Sequence, residues 1–79
     1  MSDIKPDVTL NCKGLNCPMP LIKTKKALDA MEPGQILFVE ATDAGTKADI
    51  PALLKRTGNE LLEMREEKGE FLYYIKKVI

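Results

Sequence analysis

The chain contains the stretch Val8-Thr9-Leu10-Asn11-Cys12-Lys13-Gly14-Leu15-Asn16-Cys17-Pro18-Met19-Pro20, and its reading decides the fold. Apolar and polar side chains alternate from Val8 to Cys12, which predicts a half-buried strand with Val8, Leu10 and Cys12 on its inner face. A glycine-containing loop follows, and then a helix over Leu21–Met31 with Leu21, Thr24, Ala27, Leu28 and Met31 on one side. Cys17 falls near the N-cap, with Pro18 at the first helical position and Pro20 at the third. Proline suits that turn because its missing N–H has no intrahelical partner there anyway. Pro18 also disfavours helical geometry at Cys17 and so keeps the cysteine just outside the helix. Met19 is then expected to offer an unpaired N–H close to the sulfur. A thiol beside the positive end of a helix is favoured as thiolate, the form that attacks and carries sulfur. The residues alone leave two readings of Cys17 open, a presented thiolate and a small buried hydrophobe.

Beyond this stretch, Gln35 to Asp43 reads as a second strand. Leu37, Val39 and Ala41 face one way, and Ile36, Phe38, Glu40 and Thr42 the other. A strand, a helix and a strand in this order predict a parallel unit with a right-handed crossover. Asp43-Ala44-Gly45 turns the chain into a second helix whose apolar face is Ile50, Leu53, Leu54 and Thr57. Pro51 places its start near Asp49, with Asp49 as cap, and Gly58-Asn59 stops it. Leu61–Glu66 and Phe71–Val78 form a hairpin through Glu67-Lys68-Gly69-Glu70, with Phe71, Tyr73 and Ile75 toward the core. The expected fold is a two-layer α/β (α+β) sandwich of order βαβαββ, a four-stranded mixed sheet with two helices on one face. Residues 1–7 read as a flexible N-terminal lead and 8–79 as a single domain. The uncovered sheet face would expose Ile36 and Phe38, together with Leu61 or Leu72. Such residues form a docking surface only if they are contiguous.

With 12 basic and 12 acidic residues in 79, the formal net charge is zero. The electrostatic footprint of direct nucleic-acid binding is therefore missing. The chain has no histidine, which excludes a Cys–His hydrolase, and two cysteines do not make a structural zinc site that needs four ligands. No metal and no cofactor are expected. Neither a signal-peptide core nor a membrane-length apolar run is visible, so the expected compartment is the cytoplasm, where thiols stay reduced.

At Cys17-Pro18-Met19-Pro20 the chain resembles the TusA/SirA-like family of small sulfur carriers, which is marked by Cys-Pro-X-Pro at the start of the first helix. The resemblance extends through Gly14-Leu15, Lys25-Lys26-Ala27-Leu28, Pro33-Gly34, Asp43, Asp49-Ile50-Pro51, Gly58 and Tyr73-X-Ile75-Lys76. It implies that Cys17 receives sulfane sulfur as a persulfide and relays it to a partner protein, a sulfurtransferase-like carrier rather than a stand-alone enzyme. Gly14, Pro18, Met19 and Pro20 would position the thiol. The implied donors are a cysteine desulfurase or a rhodanese, and the implied acceptor is a DsrE-type or other relay protein. The sulfur would go to tRNA thiolation or to cytoplasmic sulfur trafficking and oxidation. Such a carrier suits a monomer. Many relatives carry Asp at the position of Cys12 and Pro at that of Ala44. Cys12 is thus either a secondary thiol that resolves the persulfide or an inward-facing strand residue. The alternative function is a dithiol redox protein using Cys12 and Cys17. Lys23, Lys25 and Lys26 either bind an acidic partner or form a solvated helix face.

Overall fold

Strand alternation and helical spacing resolve into β1 (Val8–Cys12), α1 (Met19–Ala30), β2 (Ile36–Ala41), α2 (Thr46–Thr57), β3 (Glu60–Glu67) and β4 (Glu70–Lys76). The structure is a computed structural model that describes residues 4–16 and 18–78. The sheet has the order β1-β2-β4-β3. β1 and β2 are parallel, from Val8 opposite Leu37 to Cys12 opposite Ala41. β4 lies antiparallel to both of its neighbours, so β3 runs parallel to β2 with β4 inserted between them. The expected α+β sandwich is the one observed.

The core joins the inner faces of the strands to the helices. Cys12, Leu37, Val39, Ala41, Phe71, Tyr73 and Ile75 from the sheet meet Leu28, Met31, Ile50 and Leu54 from the helices. Each buried aliphatic or aromatic side chain contributes on the order of 1.5–3 kcal/mol relative to exposure, which is what such a small domain has to spend against chain entropy. Before β1 the chain is tied to the sheet at Asp7, whose N–H donates to the Ile36 carbonyl (2.8 Å) and whose carboxylate accepts the Ile36 N–H (2.8 Å).

Three local expectations are corrected. Helix α2 begins at Thr46, not near Asp49, and Pro51 lies inside it. The entering turn is closed by i→i−3 bonds, Thr46 to Asp43, Lys47 to Ala44 and Ala48 to Gly45. Pro51 comes early enough that its missing N–H forgoes only the bond to the Lys47 carbonyl, on an exposed residue. The hairpin turn is the two-residue Lys68-Gly69, both at positive φ (49° and 80°) with Glu67 paired to Glu70, the backbone twist that tight hairpins require. Leu61 packs on the helix side, opposite Ile75, because the ladder slips between Leu61 and Glu63. On the uncovered face Ile36, Phe38, Leu72 and Tyr74 are half-buried. The Phe38 and Tyr74 rings stack there with centroids 4.7 Å apart.

Candidate functional site

Both parallel strands run into helices, so α1 and α2 begin at the same edge of the sheet. Cys17 lies outside the described residues, and the structure describes the frame on each side of it. Upstream, the loop leaving β1 is held at consecutive residues. The Lys13 N–H donates to the Asn11 side-chain oxygen (2.9 Å), the Gly14 N–H to the Thr42 hydroxyl (2.9 Å), and the Leu15 N–H to the Cys12 carbonyl (3.2 Å). Gly14 has φ +80°, and nothing stands within 4 Å of where a Cβ would be. Glycine serves the turn here, not a close approach. The Lys13 ammonium bridges Glu40 on β2 (3.1 Å) and Glu70 on β4 (3.6 Å). Its hydrogen bond to Glu40 and the two carboxylates raise its pKa.

Downstream, α1 has its N-cap at Pro18 and its first helical residue at Met19. The expected cap at Cys17 is therefore displaced by one residue. The Met19 N–H, expected to be unpaired, donates to the Asn16 carbonyl at 2.9 Å. The Ile22 N–H reaches the Pro18 carbonyl at 3.0 Å. Pro20 is buried, and its carbonyl accepts the Thr24 hydroxyl at 2.7 Å, which fixes the first turn against the core. Met19 and Ile22, by contrast, face solvent, at 43% and 41% exposure. Among the described residues no side chain caps this helix start, and no acidic residue stands in its first turn. Two of the four residues 18–21 are prolines without an N–H. The positive end of the α1 dipole is thus left without a carboxylate of its own helix, directly after Cys17 in sequence.

The remaining candidates separate. Cys12 is wholly buried at the end of β1 and is a free thiol. Burial pushes its pKa up, and the positive charge of Lys23 partly offsets that. Lys23 is exposed on α1. Lys25 pairs with Asp29 at 3.0 Å along the helix, and Lys26 is exposed. Among the described residues no three His, Cys, Asp or Glu side chains gather as a metal site. No helix among them is long and apolar enough to cross a membrane. Sequence reasoning missed Thr42 and the Lys13 clasp. The parallel register that puts Ala41 beside Cys12, and so Thr42 beside the loop, is the signal that would have found them.

A βαβαββ sandwich with a four-stranded mixed sheet defines the class as a small α+β domain, here with Cys-Pro-X-Pro in the sequence leading into its first helix. The fold is similar to the crystal structure of a SirA-like protein from Desulfitobacterium hafniense, with TM-score 0.72 and 25% identity over 91% of this chain and 99% of that one. Residues 8–77 match the family described as sulfurtransferase TusA. The sulfur carrier protein TusA of Allochromatium vinosum is 52% identical over 90% of this chain and 93% of its own length. The putative sulfur carrier protein YrkI of Bacillus subtilis is 47% identical over 94% and 99%. The chain belongs to the TusA family of sulfur carriers.

Proposed function

We propose that the Cys17 thiolate is the group that carries the sulfur. It attacks the outer sulfur of a donor persulfide. A Cys17 S–S bond forms, the donor S–S bond breaks, and the donor leaves as its thiolate. The transfer is redox-neutral and needs no metal or cofactor. The second half repeats the exchange, with an acceptor thiolate attacking the outer sulfur and Cys17 leaving. A sulfur carrier works between a donor and an acceptor. The donors proposed here are a cysteine desulfurase or a rhodanese, and the acceptor is a DsrE-type or other relay protein. The pathway is tRNA thiolation or cytoplasmic sulfur trafficking, and the carrier acts as a monomer.

The observation that carries this reading is the start of α1: two prolines, no capping side chain and no carboxylate in its first turn, immediately after Cys17. The burial of Cys12 supports assigning that residue to the core rather than to a dithiol pair. Lys23, exposed in the second turn of α1, adds a positive charge to the start of this helix. Lys25 is engaged by Asp29 and adds less.

Intact-mass measurement after incubation with a cysteine desulfurase and cysteine, or a rhodanese and thiosulfate, tests the reading. The wild type and Cys12→Ser gain one reductant-sensitive sulfur atom, and Cys17→Ser gains none. Loss of two hydrogens that requires both cysteines would replace the carrier with a redox pair.

A further inference from the structure

The chain has to deliver Cys17 from the end of β1 to the start of α1, and the β1–β2 ladder stops short of it. The last register pair is Cys12 opposite Ala41. One residue beyond Ala41, the exposed Thr42 side chain continues what the backbone ladder no longer provides, as its hydroxyl oxygen accepts the Gly14 N–H at 2.9 Å across 28 residues of sequence. Gly14 is the left-handed residue of the turn and lies three positions before Cys17. Among the described residues, the loop's other hydrogen bonds from the backbone are short-range, within residues 11–19, and shape the loop without tying it to the sheet. The Lys13 ammonium does reach Glu40 and Glu70, but through an exposed, flexible side chain, and such pairs hold geometry weakly.

We propose that Thr42 is a positioning residue for sulfur transfer: its hydroxyl is the fixed point that docks the Gly14 backbone onto the end of β2 and so sets where the loop presents Cys17 to the start of α1. This rests on Cys17 being the carrier. A neutral hydrogen bond of this kind is worth several-fold in an equilibrium. A reactive group displaced by a fraction of an ångström loses rate on a similar or larger scale.

The test compares Thr42→Val, which keeps the β-branched shape and removes the acceptor, with Thr42→Ser, which keeps the hydroxyl. Both are made in Cys12→Ser, so that a single thiol reports. The charged groups on the flanking elements (Lys13, Glu40, Glu70, Lys23 and Asp43) are unchanged in every variant, so a shift in the thiol's pH profile reports loop geometry. Thr42→Val is expected to retain its melting transition, to lose hydrogen-exchange protection at the Gly14 amide, and to move the iodoacetamide pH profile of Cys17 toward that of an unperturbed thiol. Its sulfur loading slows roughly fivefold, and Thr42→Ser restores profile and loading. An unchanged pH profile and loading rate in Thr42→Val would overturn the role of Thr42. Absence of loading on the parent thiol would instead overturn Cys17 as carrier, an outcome read separately from the alkylation profile.

Discussion

The two helices start at the same edge of the sheet and are built in opposite ways. At α2 the chain sets carboxylates of its own beside the helix end. The Asp43 carboxylate accepts the Gly45 N–H at 3.2 Å, Asp49 stands in the first turn, and the Thr46 hydroxyl donates to the Asp43 carbonyl at 2.7 Å. The single proton of that hydroxyl is thereby used, so the buried Tyr73 hydroxyl must be the donor in its 2.6 Å bond to Thr46. Neither N-cap, Gly45 of α2 nor Pro18 of α1, makes a side-chain cap bond, but the first turn of α1 has no acid. A helix end that is neutralised by its own residues is a structural joint. One left without an acid, as at α1, fits the proposed role of the preceding cysteine in carrying an anionic sulfur.

The largest way to break the comparison is on the closed side. Thr46→Val strands the buried Tyr73 hydroxyl and should cost about 2 kcal/mol in denaturant unfolding, whereas Tyr73→Phe, which removes only the donor, should cost about 1 kcal/mol. Neither should change the alkylation rate of Cys17, and a parallel loss of reactivity would mean that the two helix starts are coupled. On the open side, Met19→Glu gives α1 the first-turn carboxylate that α2 has. The helix gains about 0.5 kcal/mol. The thiol pKa rises, so alkylation near neutral pH slows by roughly threefold, the size of a half-unit shift. An unaltered rate would show that the positive end of α1 does not act on the thiol.

The smallest effect sharpens the contrast between the thiols themselves. Burial holds the pKa of Cys12 above its ordinary 9.0 in the folded chain. Above that pH the unfolded chain has released this proton while the folded chain keeps it, so stability is complete below pH 9 and declines as pH rises beyond it. Tyr73, also raised by burial from 10.0, adds a loss of the same sign at higher pH. Unfolding midpoints between pH 8 and 10 should fall in the wild type and fall less in Cys12→Ala. Equal slopes would remove Cys12 as the source.

Most of the scaffold was legible because it depends on near neighbours. The alternation of Val8, Leu10 and Cys12, the helical spacing of Thr24, Leu28 and Met31, and the left-handed stop at Gly58 (φ 82°) each follow from residues within a turn or two. The misreadings arose where a local rule met a longer-range constraint. Pro51 signalled a helix start, but the turn from Asp43 to Thr46, anchored by Tyr73, begins the helix sooner. Of the two candidates for the open face, Leu72 lies there and Leu61 does not, because the slip opposite β4 turns it inward. Met19 lost its expected unpaired N–H to the Asn16 carbonyl, a bond that depends on how the loop folds back before α1.

By itself the sequence determined the order of elements and most of their inward faces, because prolines, glycines and alternation act on their immediate surroundings. Only the tertiary structure decided the sheet order β1-β2-β4-β3 and the pairing of Gly14 with Thr42 and of Tyr73 with Thr46. Those contacts join residues 27 and 28 positions apart, and they exist only once strand register and helix packing have chosen each other.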